Sequence, residues 1–334
     1  MNATMSHLIY SVRRGLAVAA LAFGTAHASP VLTQAAIDAG FTLSQFASGF
    51  PTVNGIGPLG IAFTTGGAVM VTDYPGNVRV FATDVDNQLA SSATVTATLG
   101  AFDAIGLARS GNFIYATQQS AGRVVRLNLD GTFNSVVVTG VPSATGIYAN
   151  PANGKLYVSD CCSNTGIWLV DPTTNTKSQF KSSGSYDGIS ISSDGSTLYA
   201  ELGGHIYGYR VSDGVQVFDS GFINGADGTE LGAGTLAGSI FVNTNFGELW
   251  EVDLGNPSAK TLLVSGGSRG DFVTADPNGS LLFTQSSDIW RLTPGDGGCI
   301  GAACDVPEPG SLALVGMALL GLAYARRRLR PAAA

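Results

Sequence analysis

Asn153-Gly-Lys-Leu-Tyr-Val-Ser-Asp160 couples a tight glycine turn to a short run of β-branched and aromatic residues, the pattern of a hairpin turn entering a strand. The same grammar recurs five times, as GGAVMVTD (66–73), SGNFIYAT (110–117), DGSTLYAE (194–201), AGSIFVNT (237–244) and NGSLLFTQ (278–285). The last residues of the six copies are 44, 43, 41, 43 and 41 apart. About eight residues before each copy stands a second mark, Gly60, Gly106, Gly146, Gly188, Gly228 and Gly270. Third strands are expected after each copy, at 78–81, 124–127, 167–170, 206–209, 249–252 and 289–292. Fourth strands are expected at 93–99, 135–138, 178–181, 216–218 and 260–264. Four short strands every 40–50 residues is the period of a propeller blade.

The sixth repeat stops after three strands. Residues 41–50, just ahead of the first repeat, can supply the missing outer strand and remove the open sheet edges. The expectation is an all-β, six-bladed β-propeller closed by an N-terminal strand. Over residues 41–294 this strand grammar resembles the six-bladed superfamily of gluconolactonase-like, strictosidine-synthase-like and NHL proteins.

Both ends read as addresses. Arg13-Arg14, an apolar run over 15–25 and Ala26-His27-Ala28 before Ser29 form a signal peptide with cleavage between Ala28 and Ser29. At the other end Pro307-Glu308-Pro309 precedes an uncharged run over 311–325 and then Arg326-Arg327-Arg328. That run reads as a short transmembrane helix with its basic end in the cytoplasm. At these residues the tail resembles the PEP-CTERM sorting signal. The resemblance implies recognition by an exosortase, an inner-membrane-anchored intermediate, and delivery to the cell surface or extracellular matrix. The expected organisation is a signal peptide (1–28), a propeller (29–298), a cysteine-bearing linker (299–305) and a sorting signal with a membrane helix (306–330).

Only 12% of residues are charged, against about 25% in an average protein. Between 29 and 305 there are 11 basic and 23 acidic residues. So acidic a body disfavours nucleic acid and favours cations or basic partners. Strand direction assigns to one mouth of the ring Asp73, Asp103, Asp160, Asp187, Asp227, Glu230, Asn243, Asn245, Arg269, Asp271 and Asp288. Carboxylates suit calcium or magnesium, with Asp187, Asp227 and Glu230 as candidate metal ligands. These three are also the possible counterparts of the cation ligands that the gluconolactonase resemblance implies, whereas Leu59, Ile105 and Thr145 stand where an Asn would be expected. No cofactor motif is present in the sequence, and no catalytic residue is assigned. The leading functional expectation is a binding or interaction module for extracellular polysaccharide or matrix protein. The alternative is a divalent-metal-dependent lactonase or hydrolase.

His205 is the one histidine remaining after signal removal and reads as a polar strand-end residue. Gly266-Gly-Ser-Arg-Gly270 matches G-x-S-x-G in letters, but it joins two expected strands, whereas a nucleophile elbow joins a strand to a helix. Of the four cysteines, Cys299 is expected to pair with Cys304, leaving Cys161-Cys162 as either a vicinal disulfide or two thiols.

Overall fold

A computed structural model describes residues 29–64, 66–295 and 298–300. The signal peptide, Cys304, the Pro-Glu-Pro motif and the apolar tail with its arginines lie outside the described residues. Among those described, no helix is long and apolar enough to cross a membrane.

The chain forms a six-bladed β-propeller. Blade 1 comprises Pro58–Phe63, Val69–Asp73, Asn77–Phe81 and Thr94–Thr98. Blade 2 comprises Leu107–Ser110, Phe113–Gln118, Arg123–Leu127 and Phe133–Thr139, and blade 3 Ala144–Ala149, Leu156–Asp160, Ile167–Asp171 and Thr176–Lys181. Blade 4 is built from Ile189–Ile191, Thr197–Leu202, His205–Arg210 and Gln216–Asp219, and blade 5 from Ala226–Gly234, Ser239–Thr244, Leu249–Asp253 and Lys260–Ser265. Val273–Ala275, Leu281–Thr284 and Ile289–Thr293 make the first three strands of blade 6.

The fourth strand of blade 6 is Thr42–Ser48, antiparallel to the third strand with Thr42 opposite Thr293 and Ala47 opposite Ile289, and Gln88–Leu89, from between the third and fourth strands of blade 1, pairs parallel beyond it. Closure by the N-terminal strand is thus as expected. Two short additions lie on blade 5. Val31–Leu32 extends its outer edge, and Gly298–Ile300 pairs with Gly232–Gly234 on its inner strand, carrying the start of the expected linker onto the sheet.

The second strands are buried along almost their whole length, because each is sandwiched between neighbouring blades. Continuous rather than alternating apolar runs follow from that position. The glycine marks explain how the inner strands approach one another. A Cβ on Gly60 would sit 2.5 Å from the Ile105 carbonyl, on Gly106 2.6 Å from that of Thr145, on Gly146 2.5 Å from that of Asp187, and on Gly228 2.5 Å from that of Asp271. Second-strand hydroxyls tie the same carbonyls, Thr117 Oγ1 donating to Thr145 O at 2.5 Å and Ser159 Oγ to Asp187 O at 2.6 Å. The axis is consequently narrow. Between Leu107, Ile147, Ile189, Thr229 and Phe272 it leaves a void of about 40 Å³.

Blades 6 and 1 are joined by an apolar cluster containing Phe46, Phe50, Ile61, Phe81, Leu282 and Ile289, with the Phe46 and Phe81 rings edge to face at 5.3 Å. Arg291, 6% exposed, crosses the same seam. Its Nε donates to Asp86 at 2.8 Å and its Nη2 to Asp84 at 2.5 Å, while Nη1 reaches Asp276 and Ser280. Ser44 on the closing strand donates to Asp86 at 2.6 Å.

Candidate functional site

At one end of the axis the inner strands of blades 4, 5 and 6 are entered through Asp187, Asp227 and Asp271. Because Gly188 and Gly228 let these strands nearly touch, their carboxylates fall within one another's field. Burial and the Asp271 carboxylate push Asp187 up to about 7, with Arg269 pulling the other way. Burial, then Asp187 and Asp271, hold Asp227 well above the usual range. Burial also raises Asp271, although Arg269 opposes this through an ion pair of 2.5 Å. Asn245 Nδ2 donates to Asp227 at 2.9 Å. The Tyr74 ring, packed edge to face on Phe102 at 4.8 Å, lies in the field of Arg269 and Asp271. The arrangement is three carboxyl groups around one guanidinium, where ionising all three would leave an excess of negative charge at a partly dry surface.

Other residues assigned to the mouth from strand direction are occupied locally. Asp73 is buried and holds Arg79 at 2.7 Å and the Asn77 backbone N–H at 2.9 Å. Asp103 accepts from Ala121 N, and Asp288 from Ser287 Oγ. Asp160 accepts from the backbone N–H groups of Cys162, Ser163 and Thr165, shaping the turn that carries a vicinal disulfide between Cys161 and Cys162. Gln119 Nε2 donates to Cys161 Sγ at 3.0 Å. Asn243 is fully buried, and its amide donates to Phe272 O and Thr284 O, the inter-blade role that hydroxyls play elsewhere.

Glu230 does not join Asp187 and Asp227. It sits three residues further along the inner strand of blade 5, roughly 10 Å at about 3.3 Å per residue, where it accepts from Tyr148 Oη at 3.0 Å, Leu231 N at 2.9 Å and Ala275 N at 3.2 Å. Among the described residues no group of three or more His, Cys, Asp or Glu side chains is placed to hold a metal ion. Asp187, Asp227 and Glu230 therefore do not converge as one ligand set.

Glu201 belongs with the mouth and was not anticipated. It is next to last in the second strand of blade 4 at 7% exposure, accepts from Gly204 N at 2.7 Å, and is pushed up to about 7, chiefly by burial with a contribution from Asp187. The signal was available, since Glu201 occupies the repeat position of Asp73 and Asp160. His205 pairs with Asp219 at 2.8 Å and stacks on Tyr207, as a strand-end residue does. Ser268 accepts from Ser286 N at 3.0 Å within a segment joining two strands, so the G-x-S-x-G letters do not build an elbow. Cys299 is disulfide-bonded; its expected partner Cys304 lies outside the described residues.

Asp187 yields a pH prediction. Its ordinary value is 3.8 and its folded value about 7, so between those limits the folded state holds more protons than the unfolded one. Stability from this group is complete below about pH 4 and is lost as pH rises to 7. Asp187 is half-buried, so solvent reduces the effect. Asp187→Asn is expected to raise the melting temperature at pH 8 by about 2–4 °C, about 1 kcal/mol for a domain of this size, and to leave it unchanged at pH 4. Equal shifts at both pH values would show that the charge is not the cause.

A family model described as a repeat of unknown function, DUF6923, matches residues 68–270. The chain belongs to the DUF6923 family. The match runs from the second strand of blade 1 to the entrance of blade 6, so in this chain the matched stretch lies across five successive propeller blades. A second model, the PEP-CTERM protein-sorting motif, matches residues 305–328. It implies recognition by an exosortase and an exported, membrane-transiting protein. No curated protein matches the chain in sequence.

Solved structures share the fold of this DUF6923 protein at low identity. A gluconolactonase from Xanthomonas campestris is 16% identical with a TM-score of 0.60, over 80% of this chain and 95% of that one. A virginiamycin B lyase from Staphylococcus aureus, solved with quinupristin, is 14% identical with a TM-score of 0.54, over 76% and 99%. A chain of a nidogen/laminin complex is 14% identical with a TM-score of 0.54, over 78% and 100%. At such identities the likeness speaks to fold alone.

Proposed function

We propose that this protein is a surface-sorted propeller that acts as a binding module, taking the cationic or hydroxyl-rich face of an extracellular polysaccharide or matrix protein in the mouth around Asp187, Asp227 and Asp271. The observation that carries the reading is the charge imbalance there: three mutually destabilised carboxylates, with Glu201 nearby, share one guanidinium. A ligand cation or a set of sugar hydroxyls would relieve that imbalance. The route of the chain supports surface display. Leu292 pairs with Leu281 at the end of blade 6 far from the mouth, and Gly298–Ile300 lies on the far end of blade 5's inner strand. The last described residues before the tail therefore lie on the face opposite the carboxylates, and on a protein held at a membrane through that tail the mouth would point outward.

The test is binding of chitosan, dextran and alginate oligomers to the purified propeller by calorimetry. Chitosan, a cationic polysaccharide, is expected to bind, alginate not to, and the Asp187→Asn/Asp227→Asn double variant to weaken chitosan binding at least tenfold. Equal binding of all three polymers, or none of chitosan, would overturn the reading.

The metal-dependent lactonase reading draws on the likeness to the Xanthomonas gluconolactonase and on the carboxylates at one end of the axis. Against it stand Leu59, Ile105 and Thr145 at the equivalent entrances and the separation of Glu230. Stoichiometric calcium or magnesium after dialysis, together with lactone hydrolysis, would establish it in place of the binding reading.

A further inference from the structure

A second cavity, of about 160 Å³, opens on the face away from the mouth between blades 3, 4 and 5. Its polar floor is Glu230, 2% exposed. Its walls include Ile191, Tyr199, Leu231 and Leu254, with Tyr148 beside the carboxylate and Ser192 and Ser193 among the lining residues. The three groups that donate to Glu230, Tyr148 Oη and the N–H groups of Leu231 and Ala275, are all neutral. Among the described residues no basic side chain forms an ion pair with it. Burial pushes its carboxyl up to about 7. A buried carboxylate is ordinarily paired with a cation, and among the described residues no basic partner meets this carboxylate, which lines the cavity.

We propose that this cavity binds a small organic ammonium ion, with the Glu230 carboxylate as its counter-ion and the Tyr199 ring and aliphatic walls around its hydrocarbon part. A single carboxylate beside hydroxyls and aliphatic walls argues for an organic cation, since calcium takes six to eight oxygen ligands. Aromatic faces add cation–π attraction to the ion pair. The cavity and the mouth lie toward opposite ends of blade 5's inner strand, Glu230 three residues on from Asp227.

The experiment compares n-butylammonium with n-butanol, which matches it in size but lacks the charge, by titration calorimetry on the whole propeller carrying the Asp187→Asn/Asp227→Asn changes that silence the mouth. Butylammonium is expected to bind at least tenfold more tightly than butanol. Glu230→Gln is expected to remove that preference, and Tyr148→Phe, which keeps the charge and deletes one hydrogen bond, to retain it. Equal affinity for butanol and butylammonium overturns the proposal without reference to any Glu230 variant, so it stays testable even if Glu230→Gln fails to fold. An unchanged preference in a folded Glu230→Gln protein overturns it as well. Loss of chitosan binding at the mouth leaves this result untouched, and the two readings fail separately.

Discussion

Arg291→Met is expected to lower the melting temperature by roughly 10 °C. Arg291 is the shared cation of Asp84, Asp86 and Asp276, and removing one partner of a buried ionic cluster typically costs about 3–5 kcal/mol. At about 2–4 °C per kcal/mol for a domain of this size, the loss is large. Its location makes it larger in consequence, because Asp84 and Asp86 follow the third strand of blade 1, whereas Arg291 and Asp276 belong to blade 6. Only the seam between the first and last blades depends on this cluster, and opening it exposes the strand edges that ring closure hides. Adding Asp276→Asn to Arg291→Met should recover part of the loss, since Asp276, already pushed up to about 6 mainly by burial, would no longer be stranded. Thermal unfolding followed by circular dichroism measures both. A fall of less than 3 °C for Arg291→Met would mean that the apolar contacts of Phe46, Phe50 and Phe81 hold the seam alone.

Gly188→Ala should be comparably severe. The added Cβ would lie 2.0 Å from the Asp227 carbonyl oxygen and 2.7 Å from the Gly228 Cα. Both obstacles are backbone on the neighbouring inner strand, so no side chain can swing away. Overpacking of a well-filled core costs about 1–3 kcal/mol and at times more, and here blades 4 and 5 must separate, so the upper part of that range is expected. The same separation would move Asp187 from Asp227, so chitosan affinity should drop together with stability. Gly66→Ala is the control. Nothing lies within 4 Å of its added Cβ, and it should stay within about 0.5 kcal/mol of the parent. Equal melting temperatures for the two variants would refute close packing of the inner strands as the reason for the glycine marks.

The placement of individual candidates shows where local reading stops. Asp73 and Asp160 occupy the same repeat position as Glu201, and all three accept from the turns that follow them, but Glu201 has a raised carboxyl and lies in the field of Asp187. What separates them is the turn that follows each strand, and above all which neighbours the next blade brings near. Asp227 and Glu230 are three residues apart in one strand, and rise per residue alone sends them to different environments. Tyr148 reaches Glu230 from 82 residues away, a distance at which no spacing rule operates.

The six-fold recurrence of a glycine turn and an apolar strand was enough, on its own, to determine the blade count, the strand order within each blade and the use of residues 41–50 as the closing strand. Those are consequences of short-range turn chemistry and of the need to leave no edge unpaired. Which carboxylates share a field, which are spent on backbone hydrogen bonds and which one faces a separate cavity were decided only when the ring closed. Electrostatic coupling depends on separation and burial, and both are set by the packing of blades distant in sequence.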